Sequence, residues 1–398
     1  MNNGFYSLWL TISAGRLSIS LYTMAVTLTV FSITHSATLS SVVMLAFVVG
    51  KLISSFVYPL VTEKATLKAI LIVSTLFQLL SIPATMGLLS IQKGSVIVFS
   101  IMYIVIGIVG FMDGFISPSR LSLVPELVEE SKLGRANSLI STTNQTFSLV
   151  GWAIGPIVIG KYGVHFVLLF SFILLVTSFF SAIQLKAEKM KRATNRPKWD
   201  VIKTGWLILF SKKNHMRTIT TMDIVEGIAS GIWIGGITLL FVEEVLKEGE
   251  HWWGFINTSY YAGTILGGIV ITILASNVQK HLIKGIIIGS FMVSILVLFY
   301  SINRIALLAL LLVILMGPFY QLRDISQQTY IQKVTTGKEL AKVYAAKDNL
   351  YYITFAISVF ITGVIADSVG VVFVYYMAFF FYLTSTAYAF LSFRKKIC

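Results

Sequence analysis

Charge is scarce in this 398-residue sequence. Only 12% of residues are Asp, Glu, Lys or Arg, while 56% are hydrophobic. Soluble domains carry roughly 25% charged residues. So little polar surface cannot wrap a water-soluble core of this length, and lipid must cover much of the apolar remainder. Cysteine is nearly absent. The one thiol, Cys398, is the final residue, which excludes an intrachain disulfide and a Cys/His metal cluster, so neither a metal nor a cofactor site is expected. HExxH and GxSxG are both missing, and with them the usual signs of metallopeptidase or serine-hydrolase chemistry. The first residues, MNNGFYSLWL, lack a basic n-region and a small-residue cleavage site, so no cleaved signal peptide is expected and the first span directs insertion.

Long apolar runs fill the chain. They lie at 6–33, 38–60, 69–91, 95–118, 136–160 and 164–185, then at 216–243, 253–275, 284–302, 305–322, 343–365 and 370–393. Each approaches the roughly 20 residues that a helix needs to cross a bilayer. The expected fold is an all-α membrane protein with twelve transmembrane helices in two six-helix bundles. The bundles are 1–185 and 216–398, joined by a polar, basic linker at 186–215. Within that linker, Trp206-Leu207-Ile208-Leu209-Phe210 reads as a short helix lying on the membrane surface.

The formal net charge is +14. Spread over short segments between spans, it fits cytoplasmic loops better than a nucleic-acid surface, and no nucleic-acid partner is expected. With both termini inside, 25 of the 31 lysines and arginines fall on the cytoplasmic side. The outer loops keep Lys93, Lys161, Lys247 and Arg304, and Arg16 and Lys51 lie inside spans. This asymmetry places the chain in the cytoplasmic (inner) cell membrane, multi-pass, with the linker and both termini in the cytoplasm. The expected partners are the lipid bilayer, a small-molecule substrate and protons, and the expected state is a monomer.

A shift of 207 residues aligns the halves without a gap from about 110 to 181. Gly110 falls on Gly317, Ser119 on Ser326, Leu133 on Leu340, Gly163-Val164 on Gly370-Val371, and Thr177-Ser178 on Thr384-Ser385. Parallel six-helix repeats are typical of transporters whose substrate site lies near the bilayer midplane.

Ionisable residues inside spans are costly and become functional candidates. Arg16 lies in the first span, and Asp223 and Glu226 lie three residues apart on one face of the seventh. Under the shift, Arg16 falls on Asp223. Two readings stand. In one, Asp223 and Glu226 carry protons while Arg16 holds a substrate anion or a carboxylate. In the other, the three form a fixed structural ion pair. Lys51 either joins the substrate site or snorkels to the inner interface. Asp113 either caps a helix or pairs with Arg120. Tyr22, Asn144, Gln145, Trp233 and Tyr351 complete the candidate substrate-binding set, each with packing as the alternative. Gly227, Gly231 and Gly235 repeat at four-residue spacing, for close packing or as a hinge.

In the fifth span, Gly151-Trp-Ala-Ile-Gly155-Pro156-Ile-Val-Ile-Gly160 offers a smooth helical face and a proline kink. Gly155 to Tyr162 nearly fits a phosphate loop, but Lys161 is not followed by Ser or Thr and the segment sits in a span, so ATP is not the expected fuel. The segment resembles the antiporter motif GxxxGPxxGG of major facilitator superfamily exporters. It matches at Gly151, Gly155, Pro156 and Gly160, with Ile159 in place of the penultimate glycine. Pro118-Ser119-Arg120, Pro125-Glu126-Leu127-Val128, Leu133-Gly134-Arg135-Ala136-Asn137-Ser138-Leu139, Gly15-Arg16-Leu17 and Thr34-His35-Ser36-Ala37 resemble the branch holding macrolide-efflux proteins and enterobactin exporters. Two departures stand out: Glu63-Lys64 to Lys68 is a degraded form of the acidic-basic gating motif, and Tyr22-Thr23 replaces a common glycine-aspartate pair.

The resemblance implies the major facilitator fold, alternating access and efflux by proton antiport rather than enzyme activity. The sequence also resembles exporters of the opine-type metallophore staphylopine. A set of Arg16, Lys51, Asp223 and Glu226 suits a zwitterionic amino-polycarboxylate better than a greasy cation. Multidrug or macrolide efflux and a lipid flippase remain the alternatives.

Overall fold

Inside a bilayer no water is available to the backbone, so every N–H and C=O must find a partner within the protein, most simply within its own helix. The long apolar runs satisfy this as helices. The computed structural model describes residues 3–90, 96–185, 197–233, 235–335 and 337–397, and regular structure among them is helical throughout. The first six helices are α1 (Asn3–Thr34), α2 (Ala37–Lys64), α3 (Leu67–Ser90), α4 (Val96–Leu127), α5 (Leu133–Tyr162) and α6 (Val164–Ile183). A short α7 (Lys198–Leu209) follows. Then come α8 (Met216–Ala229), α9 (Gly235–Phe241), α10 (His251–Ile273), a brief α11 (Ala275–Lys280), α12 (Leu282–Ile302), α13 (Ala306–Val334), α14 (Gly337–Val369) and α15 (Val371–Ile397).

Ten of these are long and apolar enough to cross a membrane: α1 to α4, α6, α10 and α12 to α15. The segments 213–233 and 236–246 are together long and apolar enough for one more crossing, with a bend of 56° between them. With 30 residues, α5 is about 45 Å long at 1.5 Å per residue. It is less apolar because Asn137, Ser138, Ser141, Thr142, Thr143, Asn144 and Gln145 fill its first half. Of the short helix expected at 206–210, residues 206–209 are the last turn of α7, which starts earlier, and Phe210 follows it. Residues 186–196 of the expected linker, and Cys398, lie outside the described residues.

Sequence repeat and backbone agree at one turn. Gly163 and Gly370, counterparts under the 207-residue shift, have φ values of 81° and 105° and open α6 and α15. A side chain is disfavoured there, so glycine makes the tight reversal between consecutive spans.

Two compact units form. The first comprises Met1–Glu129, Thr146–Gly205 and Thr336–Ala346; the second comprises Glu130–Gln145, Trp206–Thr335 and Lys347–Cys398. The start of α5 thus packs with the second unit, and the start of α14 with the first. These segments are themselves counterparts under the shift. In the second unit Asn137 donates to Thr329 and Gln332 at 3.0 and 2.6 Å, and Ser141 donates to Gln321 at 2.9 Å. In the first, Ala341 and Ala345 pack on Tyr58 and Phe115, and buried Lys342 pairs with Glu63 at 2.5 Å.

Two sequence-based boundaries need correction. The segment 321–347, expected as a cytoplasmic loop, is the end of α13 and the start of α14, and α4 runs on to Leu127. Hydropathy ends a span where polar residues begin. Here Gln321, Ser326, Gln327, Thr329 and Gln332 are buried by helix packing instead of being exposed to solvent.

Candidate functional site

Asp223 and Glu226 share one face of α8, as their three-residue spacing requires. Their cations come from α13 and α14. Arg323 Nη2 lies 2.9 Å from both Asp223 Oδ1 and Glu226 Oε2. Its Nη1 donates to the more exposed Asp324 at 2.8 Å. Gln327, one turn further along α13, donates to Asp223 Oδ1 at 2.9 Å, and Lys347 Nζ pairs with Asp223 Oδ2. The second oxygen of Glu226 accepts from Ser290 of α12 at 3.0 Å and from Ser385 of α15 at 2.7 Å. Two cations thus balance two carboxylates in the interior of the second unit. Gly289 of α12 lets the backbone of α13 come close: a Cβ there would stand 2.7 Å from Arg323 Cβ.

An aromatic cluster adjoins this charge group. Tyr320, three residues before Arg323, accepts from Trp233 Nε1 at 3.0 Å and lies 3.3 Å from the Tyr382 hydroxyl. Trp233 also meets Tyr300 and Tyr375 edge-on. It sits where the span bends, and the freed Ile232 carbonyl accepts from Tyr375 and Thr238. Gly231 N donates to Ser358 Oγ at 2.7 Å. The backbone of this broken helix is therefore satisfied by neighbouring side chains, as membrane interiors demand. Gly227 and Gly231 face Thr354, Ser358 and Thr362 of α14 at close range.

The first unit holds a second, unbalanced group. Lys51 of α2 pairs with Asp113 of α4 at 2.7 Å, and Gln78 of α3 donates to Asp113 at 3.3 Å. Asp113 lies inside α4, so it caps no helix, and its carboxylate is held by Lys51 and Gln78. Gly50 and Gly110 bring the α2 and α4 backbones together, which sets this pair. Arg16 Nε donates to Ser148 Oγ of α5 at 2.9 Å. Arg16 is exposed although residues 11–15 and 18–26 around it on α1 are buried. Arg16 belongs to the first unit and Asp223 and Glu226 to the second. Each lies with residues of its own unit, and the carboxylates' cations are Arg323 and Lys347.

Other candidates fall in varied places. Tyr22 is fully buried with its hydroxyl 2.7 Å from Thr85. Asn144 and Gln145 are half-buried on α5. Tyr351 is 55% exposed and stacked on Phe355. In the antiporter-like segment, Gly151 lies against Ser20 and Gly155 against Met24, so α5 and α1 touch there, with Pro156 inside α5. Gly160 has open space beside it.

Sequence reading missed Arg323, Lys347, Gln327, Ser290 and Ser385. The two cations were assigned to a loop. Ser385 is the repeat counterpart of Ser178, which donates to the Thr11 carbonyl at 2.7 Å as a packing residue. The same position in the second repeat serves a carboxylate, a change that the alignment alone did not signal.

A multi-span helical protein with a broken span beside a buried charge cluster has the features of a membrane transporter. The chain belongs to the Major Facilitator Superfamily, whose family model matches residues 8–346. It is similar to the MFS-type transporter YfmI of Bacillus subtilis (strain 168), at 36% identity over 404 residues, covering 100% of this chain and 98% of that one. Its fold is similar to that of a bacterial homologue of the iron transporter ferroportin in an outward-facing state, with TM-score 0.78, 13% identity, and 98% and 99% of the two chains covered. It is also similar to a single-residue variant of the E. coli fucose:proton symporter FucP, with TM-score 0.73, 13% identity, and 98% of each chain covered. The family and these relatives are transporters, not enzymes.

Proposed function

We propose that this transporter is a twelve-span exporter of the cytoplasmic membrane, acting as a monomer with both termini in the cytoplasm and coupling efflux to proton entry. Its halves are 1–185 and 216–398, joined by the linker 186–215. The observation that carries the reading is the group formed by Asp223, Glu226, Arg323 and Lys347. Buried charge on this scale is costly to desolvate and adds little stability even when paired, so it points to a functional role. A cargo ammonium that binds Asp223 and Glu226 displaces their internal cations and competes with protons for the same oxygens. Competition for one site is the condition for exchange.

The proposed cargo is a staphylopine-like metallophore, a zwitterionic amino-polycarboxylate. Its ammonium group suits Asp223 and Glu226. Its carboxylates suit Arg16 and Lys51; of these, Lys51 pairs with Asp113 and Arg16 is hydrogen-bonded to Ser148. Asn144, Gln145, Trp233 and Tyr351 supply polar and aromatic contacts, and Gly151, Gly155 and Pro156 fit α5 against α1. One observation favours a second reading, multidrug efflux: the exposed Tyr351–Phe355 stack offers an aromatic surface for an amphipathic drug. Uptake into inside-out vesicles with an imposed pH gradient separates the two. Accumulation of the metallophore and not of a macrolide supports the first; accumulation of the macrolide alone replaces it with the second.

A further inference from the structure

Helix α7 has two apolar faces, and among the described residues one is buried and the other exposed. Val201, Gly205 and Leu209, spaced four apart, are buried. On the opposite side Trp199 is 71% exposed, Leu207 71% and Phe210 47%, with exposed Lys203 on the same stripe. The 4, 4, 3 spacing keeps all four on one line along the helix. The Trp206 ring stacks on Phe210, widening the apolar side.

The level of the helix is set by what it rests on. Gly205 lies against the Lys342 carbonyl and the Ala346 side chain, in the first turns of α14. Only a glycine lets the two backbones approach this closely. The Lys342 side chain in turn holds Glu63, the penultimate residue of α2. Thus α7 rests beside the end of α2 and the start of α14, where two membrane-length helices terminate.

Charge defines the occupant. From 186 to 213 the sequence carries Lys186, Lys189, Lys191, Arg192, Arg196, Lys198, Lys203, Lys212 and Lys213 against Glu188 and Asp200. Apolar and aromatic residues flanked by lysines are the composition of a helix lying in an anionic membrane surface.

We propose that α7 docks on anionic phospholipid headgroups of the adjacent leaflet, seating Trp199, Leu207 and Phe210 at the acyl boundary and setting Lys198, Lys203, Lys212 and Lys213 among the phosphates. The proposal rests on the cytoplasmic placement of the linker only in naming which leaflet; lipid docking itself is read without reference to sidedness.

The test uses the full chain with Cys398→Ser and Leu207→Cys, spin-labelled and reconstituted in nanodiscs. One set contains only phosphatidylcholine and the other two-fifths phosphatidylglycerol. Power-saturation spectroscopy compares collisions with oxygen, which partitions into lipid, and with a water-soluble nickel chelate. The expected result is a several-fold rise in the oxygen-to-nickel ratio in the anionic discs. Adding Lys198→Glu and Lys203→Glu should remove most of that rise while thermal unfolding is unchanged. A label equally open to nickel in both lipids, as a face kept for a protein partner would be, overturns the proposal. So does a buried label that ignores the lipid charge. A second label at Trp199→Cys guards against a local effect at 207 and should follow the same pattern.

Discussion

Arg323 Nη2 lies 2.9 Å from Glu226 Oε2, joining α13 to α8 in the middle of the second unit. The same nitrogen reaches Asp223. One guanidinium therefore holds both carboxylates, and its loss leaves acidic charge buried with Lys347 as the remaining close cation. Breaking a buried pair costs about 3–5 kcal/mol. Arg323→Met should lower the thermal unfolding midpoint of the purified protein accordingly. Pairing Arg323→Gln with Glu226→Gln removes one charge of each sign and should recover most of the loss. A double variant as unstable as the single one would show that the charges are not coupled.

The buried pair Lys342–Glu63 allows the same test in the first unit. Lys342→Met alone should destabilise by about 3–5 kcal/mol, and Lys342→Met with Glu63→Leu by much less. Urea or thermal unfolding of the three variants gives the coupling.

The glycines of α5 are not equivalent. At Gly155 a larger side chain meets Met24, whereas at Gly160 it meets open space. Gly155→Leu should abolish transport while protein remains in the membrane, and Gly160→Leu should leave more than half of it. Equal loss in both would assign the segment's role to something other than contact with α1. The measurement is vesicle transport normalised to immunoblot.

Arg16→Lys keeps the charge of an exposed side chain in the middle of α1 but loses the planar fork that grips carboxylates. A hydrogen bond to a charged group contributes about 1.5–3 kcal/mol. The Michaelis constant for an acidic cargo should therefore rise about tenfold or more, and that for a cationic dye should change little. Equal changes would remove Arg16 from anion recognition.

Topology is checked at Ser211, which follows α7. In a Cys398→Ser background, Ser211→Cys should resist a membrane-impermeant thiol reagent in intact cells and react in inverted vesicles. Labelling in intact cells would place the linker outside.

Hydropathy and repeat symmetry made much of this fold legible. Gly163 and Gly370 mark the same turn in both halves, and Asp223 and Glu226 stand out because acids are rare in spans. Their partners were hidden for a physical reason. Arg323 lies on the end of α13 rich in glutamine, serine and threonine, and Lys347 follows the lysines and glutamate that open α14; hydropathy reads such stretches as solvated loops. Only packing shows that Gln321, Gln327 and Thr329 are buried and that α13 continues through Arg323. The halves also exchange segments: Glu130–Gln145 and Thr336–Ala346 each pack with the other half's helices. A linear division at the linker does not contain that information.

In the proposed exchange Glu226 takes up the coupling proton. Glu226→Gln preserves shape and the contacts to Ser290 and Ser385 but cannot titrate. In inside-out vesicles with an imposed pH gradient, the account predicts that this variant loses uphill accumulation of the metallophore yet retains exchange of labelled for unlabelled cargo at equal pH. Wild-type accumulation by Glu226→Gln would contradict the account.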